Sequence, residues 1–89
     1  MAISELLSRY ERATPAEREY MRAMAELGVG VADGSVPTAE VAGTLKRKPQ
    51  SLSPARDGLI KKGLVFSAER GTVAFTVPHF GKFLRTRTA

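Results

Sequence analysis

Ten side chains in the second half of the chain combine positive charge with hydrogen-bonding groups. They are Lys46, Arg47, Lys48, Gln50, Ser51, Ser53, Arg56, Lys61, Lys62 and Arg70. Lysine and arginine neutralise phosphates, while glutamine, serine and arginine also form hydrogen bonds with base edges. This set predicts a surface that contacts a polyanion, although the same charges would also keep a small domain soluble.

The positive charge lies almost entirely in that half. Residues 1–45 hold four basic and seven acidic side chains, a net charge of −3. Residues 46–89 hold ten basic and two acidic side chains, a net charge of +8. The first half therefore resembles a neutral-to-acidic scaffold, and the second half is typical of a region that approaches nucleic acid.

Composition excludes several kinds of chemistry. The 89 residues contain no cysteine and one histidine, His79, so disulfides, thiol catalysis and thiolate metal sites are excluded and no cofactor or metal is expected. We find no nucleophile set, no acid pair and no GxxxxGK[ST] phosphate loop, so we do not expect an enzyme. With no apolar run of roughly 20 residues and no signal-like N-terminus, we expect a cytoplasmic domain without a membrane partner.

Two helices are predicted before the basic half. Ile3, Leu6, Leu7 and Tyr10 recur at helical spacing and form one apolar stripe that ends near Ala13. The run Thr14-Pro15-Ala16-Glu17 then contains a capping box with proline at the first helical position, and Gly28 is a natural stop.

The polar and basic residues fall around a later helix. Ser35-Val36-Pro37 predicts a short extended segment, and Thr38 predicts the cap of a short helix. A further helix from about Pro49 to Lys62 buries Leu52, Ala55 and Leu59 and presents the opposite face, which holds Gln50, Ser53, Pro54, Asp57 and Lys61. Because Pro54 removes a backbone hydrogen bond, we expect a distorted first turn or a start at Ser53.

A β-hairpin and a short closing helix complete the pattern. The predicted strands are 64–68 and 72–77, joined by Glu69-Arg70-Gly71, and Pro78 ends the second one. Phe80, Phe83 and Leu84 recur at helical spacing. The predicted core is Tyr20, Met24, Leu27, Val41, Leu45, Leu52, Leu59, Leu64, Phe66 and Phe75.

This order of elements is that of a winged helix-turn-helix. The fold class predicted is therefore mainly α with a small β-hairpin: a three-helix core plus wing, with extra N- and C-terminal helices. We divide the chain into an N-terminal linker helix at 1–13, a winged-helix domain at 14–85 and a basic tail at 86–89.

Three separate motifs resemble the C-terminal winged-helix domain of a family of bacterial and archaeal AAA-type ATPases. They are residues 14–25 (TPAEREYMRAMA), residues 48–57 with 59–64 (KPQSLSPARD, LIKKGL), and residues 67–71 with 74–78 (SAERG, AFTVP). The segment 50–65 is more loosely similar to the recognition helix and first wing strand of bacterial transcription regulators. The resemblance implies a fragment or stand-alone relative of a larger ATPase, whose ATPase module would be a partner.

Two functions follow from this fold. In a helix-turn-helix the helix from Pro49 enters the major groove of duplex DNA, and the wing carrying Arg70 contacts the minor groove or phosphates. Some residues also have a structural explanation: Gln50 and Ser51 can satisfy the helix N-terminus, and Lys61 and Lys62 can complement the helix dipole. Asp57 places a negative charge on the proposed contact face.

The alternative is a protein-interaction module that does not bind DNA. It would dock on the ATPase module or form a homodimer through Ile3, Leu6, Leu7 and Tyr10. The same stripe can instead pack on the domain itself, which leaves both versions open at the level of sequence.

Overall fold

The computed structural model describes residues 3–28 and 35–76 together with Phe80, Gly81 and Leu84. Within that part the elements are α1 (Ile3–Arg12), α2 (Pro15–Leu27), β1 (Val36–Pro37), α3 (Thr38–Leu45), α4 (Pro49–Lys61), β2 (Val65–Phe66) and β3 (Thr72–Phe75). The domain is mainly helical with a small antiparallel sheet, and the predicted order of elements is confirmed from α1 to β3. Predictions for Val77, Pro78, His79, Phe83 and the tail 86–89 lie outside the described residues.

The start of α2 follows the predicted capping box. The backbone N–H of Glu17 donates to Thr14 Oγ1 at 3.1 Å, and the backbone N–H of Thr14 donates to Glu17 Oε1 at 2.9 Å. Pro15 occupies the first helical position, where its missing N–H costs nothing. Four consecutive residues therefore fix this helix end locally.

The start of α3 differs from the prediction. Pro37 is the N-cap and makes no side-chain cap, so Thr38 is the first helical residue rather than the cap. Both the backbone N–H and the hydroxyl of Thr38 donate to the carbonyl of Gly71, at 2.9 and 3.3 Å. Thr38 thus ties α3 to the loop between β2 and β3, a partner far away in sequence.

Helix α4 is continuous from Pro49, so the predicted start at Ser53 is wrong. Its first turn contains a short-range bond from the Ser51 N–H to the Lys48 carbonyl at 3.0 Å, and Pro54 lies exposed inside the helix. Gly63 ends the helix as predicted, with φ +74, and the Leu64 N–H reaches back to the Leu59 carbonyl at 3.1 Å. Because that N–H caps the helix, β2 starts at Val65 and is shorter than predicted.

The sheet has three strands instead of the two of a hairpin. Its order is β1-β3-β2, with Val36 opposite Val73 and Val65 opposite Phe75. The extended segment predicted from Pro37 supplies the additional strand. β3 is therefore central, and β1 and β2 are the edges.

The core joins both ends of the chain to α2, α3, α4 and the sheet. Tyr10 and Ala13, placed in the linker by the sequence, are buried in the same cluster as Tyr20 and Leu59. The Phe80 ring contacts Tyr10 and Phe75 edge-on, with centroids 6.1 and 5.6 Å apart. The end of α1 therefore packs on the domain.

The predicted core is confirmed for most of its members, with one error. Leu27 and Leu45 pack at its edge, but Phe66 is 46% exposed. In the two-residue strand β2, successive side chains point to opposite faces, and Val65 takes the inward place. The sheet contributes three valines to the core, and Phe66 is not among its members: Val36, Val65 and Val73.

One ion pair connects α2 to the end of α4. Lys62 Nζ donates to Glu17 Oε1 at 2.6 Å, and the Glu17 residue is 5% exposed. Burial raises the pKa of this carboxyl, but the hydrogen bonds and charge of Lys62 and the hydrogen bonds of Thr14 outweigh it, so the pKa lies below its usual value.

This lowered pKa predicts a stability loss in acid. Glu17 contributes its full stabilisation above the pKa of an unfolded glutamate, about 4.3, and loses it as the pH falls through the lower folded-state pKa. Urea unfolding across a pH series should therefore show the wild-type advantage over Glu17→Gln at neutral pH and its disappearance in acid. An advantage that is the same at all pH values would contradict this assignment.

None of the described helices is both long and apolar enough to cross a membrane.

Candidate nucleic-acid interface

Three exposed basic residues form the turn between α3 and α4. Lys46, Arg47 and Lys48 follow one another and are all exposed. The turn is held by the backbone, because the Arg47 N–H donates to the Ala42 carbonyl at 3.0 Å and Lys46 has left-handed φ 56. The predicted basic turn therefore presents three cations beside the first residues of α4.

The first turn of α4 exposes Gln50 and Ser51. The Ser51 hydroxyl donates to the Lys48 carbonyl at 2.7 Å, so this side chain has a structural bond, although it does not satisfy a helix N–H as the sequence suggested. Lys48 is the N-cap and makes no side-chain cap. Gln50 caps nothing there and remains available on the surface.

Two adjoining clefts run from this turn to the hairpin loop. One, of about 280 Å³, is lined by Tyr20, Thr38, Pro49, Gln50, Leu52, Ser53 and Arg56. The other, of about 180 Å³, is lined by Thr38, Arg56, Ile60, Ser67, Gly71, Thr72 and Val73. Because Thr38 and Arg56 line both, we treat the two as one feature, the α4 groove. The groove brings Gln50, Ser53 and Arg56 together with the base of the hairpin loop.

Tyr20 lines the groove although the sequence assigned it to the core. It is 2% exposed, and burial raises the pKa of its phenol more than the nearby Arg56 charge lowers it. Its spacing with Met24 and Leu27 correctly predicts burial of the ring. No local signal indicates that its edge reaches α4, since that contact is between helices.

Asp57 makes a long contact with its neighbour. Arg56 Nη2 lies 3.5 Å from Asp57 Oδ1, and the two side chains are 38% and 63% exposed. An exposed pair of this length contributes little to stability. Asp57 thus remains a negative charge on the outer face of α4. Of the two paired residues, Arg56 lines the groove and Asp57 does not.

The remaining predicted contacts are dispersed. Lys61 is exposed at the end of α4, and Arg70 is exposed in the loop 67–71. Lys62 is held by Glu17 and is not a free cation for a ligand. The structure therefore does not bring Lys62 into the α4 groove.

A second basic cleft was not anticipated. It measures about 500 Å³ and is lined by Pro15, Ala16, Arg18, Glu19, Arg22 and Arg47. Glu19 Oε2 lies 3.7 Å from Arg47 Nη2 in a largely exposed pair. The four-residue spacing of Arg18 and Arg22 signals a shared face of α2, but their approach to Arg47 depends on tertiary packing.

The comparisons with known proteins place the chain in one family. The fold is a mainly helical domain with a small antiparallel sheet, and its α4 groove has the basic turn of residues 46–48 at one end. The chain belongs to the family described as Domain of unknown function (DUF8462), whose pattern matches residues 6–84. No curated protein and no solved structure matches the chain.

Proposed function

We propose that this chain is a winged helix-turn-helix domain that binds duplex DNA. In this proposal α4 is the recognition helix and the hairpin β2–β3 is the wing. The supporting observation is the α4 groove, in which Gln50, Ser53 and Arg56 face the same space as the hairpin loop. The resemblance to AAA-type ATPases adds the proposal that an ATPase module is its partner.

The side chains of the groove suit a base-reading surface. A major groove about 12 Å wide admits one helix, and the residues near the N-terminus of that helix reach the base edges. Gln50, Ser53 and Arg56 lie in the first eight residues of α4. Glutamine pairs with adenine through two hydrogen bonds, and arginine can bind either a guanine or a backbone phosphate.

The charges around the groove suit the phosphate backbone. Lys46 and Lys48 flank its start, Lys61 lies at the end of α4 and Arg70 in the hairpin loop, and all four are exposed. The bonds from Thr38 to Gly71 hold that loop against α3. A duplex on α4 would therefore meet cations on several sides.

Salt dependence tests the proposal directly. With about five phosphates neutralised, the log of the association constant should fall against log salt with a slope of about −4 to −5. Fluorescence anisotropy of a labelled duplex, measured at several salt concentrations, gives this slope. Absence of binding at about 50 µM protein in low salt, or an affinity that salt leaves unchanged, would overturn it.

Lys46→Gly separates binding from folding. Glycine removes one cation and also relieves the left-handed backbone at φ 56. We expect the free energy of unfolding to rise by about 0.5–1 kcal/mol while duplex affinity falls and the salt slope becomes shallower by about one. Arg12→Ala, on the exposed side of α1, is the control for loss of one charge. Equal effects of the two variants on the slope would contradict a role for Lys46.

The second candidate is a protein-interaction module. Its specific support is apolar exposure, since Phe66 and Ile60 are 46% and 39% exposed on β2 and α4. The predicted homodimer through α1 has less support, because Tyr10 is buried in the chain's own core and Leu7 packs against it. Light scattering on the full chain measures its mass in solution and tests the homodimer. A monomer at high concentration would exclude it.

A further inference from the structure

Tyr20 carries a hydroxyl group that the fold does not use. The residue is 2% exposed, and its hydroxyl forms no hydrogen bond with any described residue. Among the described polar side-chain atoms, Arg18 Nε is the one that is both fully buried and unpartnered. The Tyr20 hydroxyl is therefore not fully buried, and Tyr20 lines the α4 groove. A nearly buried phenol facing a cleft without a partner is a donor that awaits an acceptor.

The first turn of α4 supplies one further donor beside the same cleft. Pro49 has no N–H and the Ser51 N–H donates to the Lys48 carbonyl, so the Gln50 N–H is the one that this turn leaves without a partner, and the N-cap Lys48 makes no side-chain cap. Pro49 and Gln50 both line the cleft. The dipole of this 13-residue helix also favours negative charge at that end.

Arg56 adds a formal positive charge. Arg56 lines the same cleft as Tyr20, and its contact with Asp57 is as long as 3.5 Å. Ser53, one turn before Asp57, lines the cleft with a hydroxyl. None of the described residues that line the cleft carries a carboxylate.

We propose that this end of the α4 groove is a phosphate seat in which the Tyr20 hydroxyl, Arg56 and the N-terminus of α4 hold one phosphate of the DNA backbone. The inference rests on the proposed function for its source of phosphate. A phosphodiester fits because its two non-bridging oxygens carry one charge and accept several hydrogen bonds at once. Tyr20 then binds the phosphate through a hydrogen bond and adds no positive charge to the site.

Removing one oxygen atom tests the seat. Tyr20→Phe keeps the buried ring and every charge, so the urea midpoint should stay the same or rise, because an unpartnered polar group is removed. Duplex affinity should fall about 10-fold, the effect of losing a hydrogen bond to a charged group. The salt slope should not change, since the number of neutralised phosphates is the same.

Tyr10→Phe is the matched control. Tyr10 is the other tyrosine of the chain and does not line the groove, so its variant should bind duplex as the wild type does. Ser53→Ala is a second variant on the exposed side of the seat and should also weaken binding. Equal effects of Tyr20→Phe and Tyr10→Phe, or wild-type affinity in both Tyr20→Phe and Ser53→Ala, would overturn the seat and leave the proposed function standing.

Inorganic phosphate tests the chemistry without DNA. The chain has no tryptophan and two tyrosines, so Tyr10→Phe leaves Tyr20 as the single emitter. Phosphate, titrated against chloride at constant ionic strength, should change this emission. A response without any duplex binding would support the seat, with free phosphate as its ligand, and overturn the proposed function. Duplex weakening in Tyr20→Phe with no phosphate response would place a base at Tyr20 and overturn the seat.

Discussion

Gly58→Ala should destabilise the domain, and the same substitution should stabilise it once Glu17 is removed. Glu17 Oε1 accepts hydrogen bonds from Thr14 and Lys62, which fixes the carboxylate, and its other oxygen lies against Gly58. A Cβ at position 58 would clash with that oxygen and lie 3.2 Å from Glu17 Cδ. Alanine would therefore displace a buried carboxylate whose Oε1 bonds to Thr14 and Lys62.

The expected magnitudes have opposite signs in the two backgrounds. Loss of the capping box costs about 1 kcal/mol and loss of the bond to Lys62 about 2 kcal/mol. Alanine in a helix interior gains about 1 kcal/mol over glycine, so Gly58→Ala alone should cost about 2 kcal/mol net. In the Glu17→Ala background the clash is absent, and Gly58→Ala should stabilise by about 1 kcal/mol.

Chemical unfolding of the four proteins in this cycle measures the coupling, which we expect to be about 3 kcal/mol. Gly43→Ala is the matched control, because nothing lies within 4 Å of the Cβ it would add. It should stabilise α3 in both backgrounds. If Gly58→Ala has the same sign with and without Glu17, the two residues are not in steric contact.

Tyr10→Ala should cost about 3 kcal/mol of unfolding free energy. The Tyr10 residue is 6% exposed, its ring packs edge-on against Phe80, and Arg18 Cζ lies 5.9 Å from its centroid. A domain of this size is stable by only about 5–10 kcal/mol, so the loss is a large fraction of the total. Phe66→Ala is the control aromatic truncation.

Phe66 is 46% exposed, so its truncation should cost less than about 1 kcal/mol. Thermal melts and urea titrations of the two variants, run side by side, give the comparison. A Tyr10→Ala variant as stable as the wild type would mean that α1 does not stabilise the domain. That result would agree with the sequence-based assignment of residues 1–13 to a linker. Comparable losses for Tyr10 and Phe66 would mean that β2 is covered by a second chain.

Elements with local signals were predictable from the sequence. The capping box at Thr14 and Glu17 and the left-handed Gly63 each depend on a few adjacent residues, and both are confirmed. Thr38 was misassigned because its partner, the Gly71 carbonyl, is 33 residues away. Phe66 was misassigned because a two-residue strand is too short for alternation to identify its inner side.

The same distinction holds for the candidate site. Helical spacing correctly predicts that Leu52 and Leu59 are buried and that Gln50 is exposed, whereas Ser53 is half-buried. It gives no indication that Lys62 bonds to Glu17, 45 residues away, or that Tyr20 reaches the same groove as Arg56. Those relations depend on how α2 packs against α4.

The strand order β1-β3-β2 has a consequence for association between molecules. An unpaired sheet edge can accept a strand from another chain, and proline on an edge blocks this because it lacks an N–H. Pro37 occupies half of β1, so that side of the sheet is closed to further pairing. Among the described strands, intermolecular strand addition in concentrated solution is therefore favoured at β2, where Phe66 would be covered as it formed.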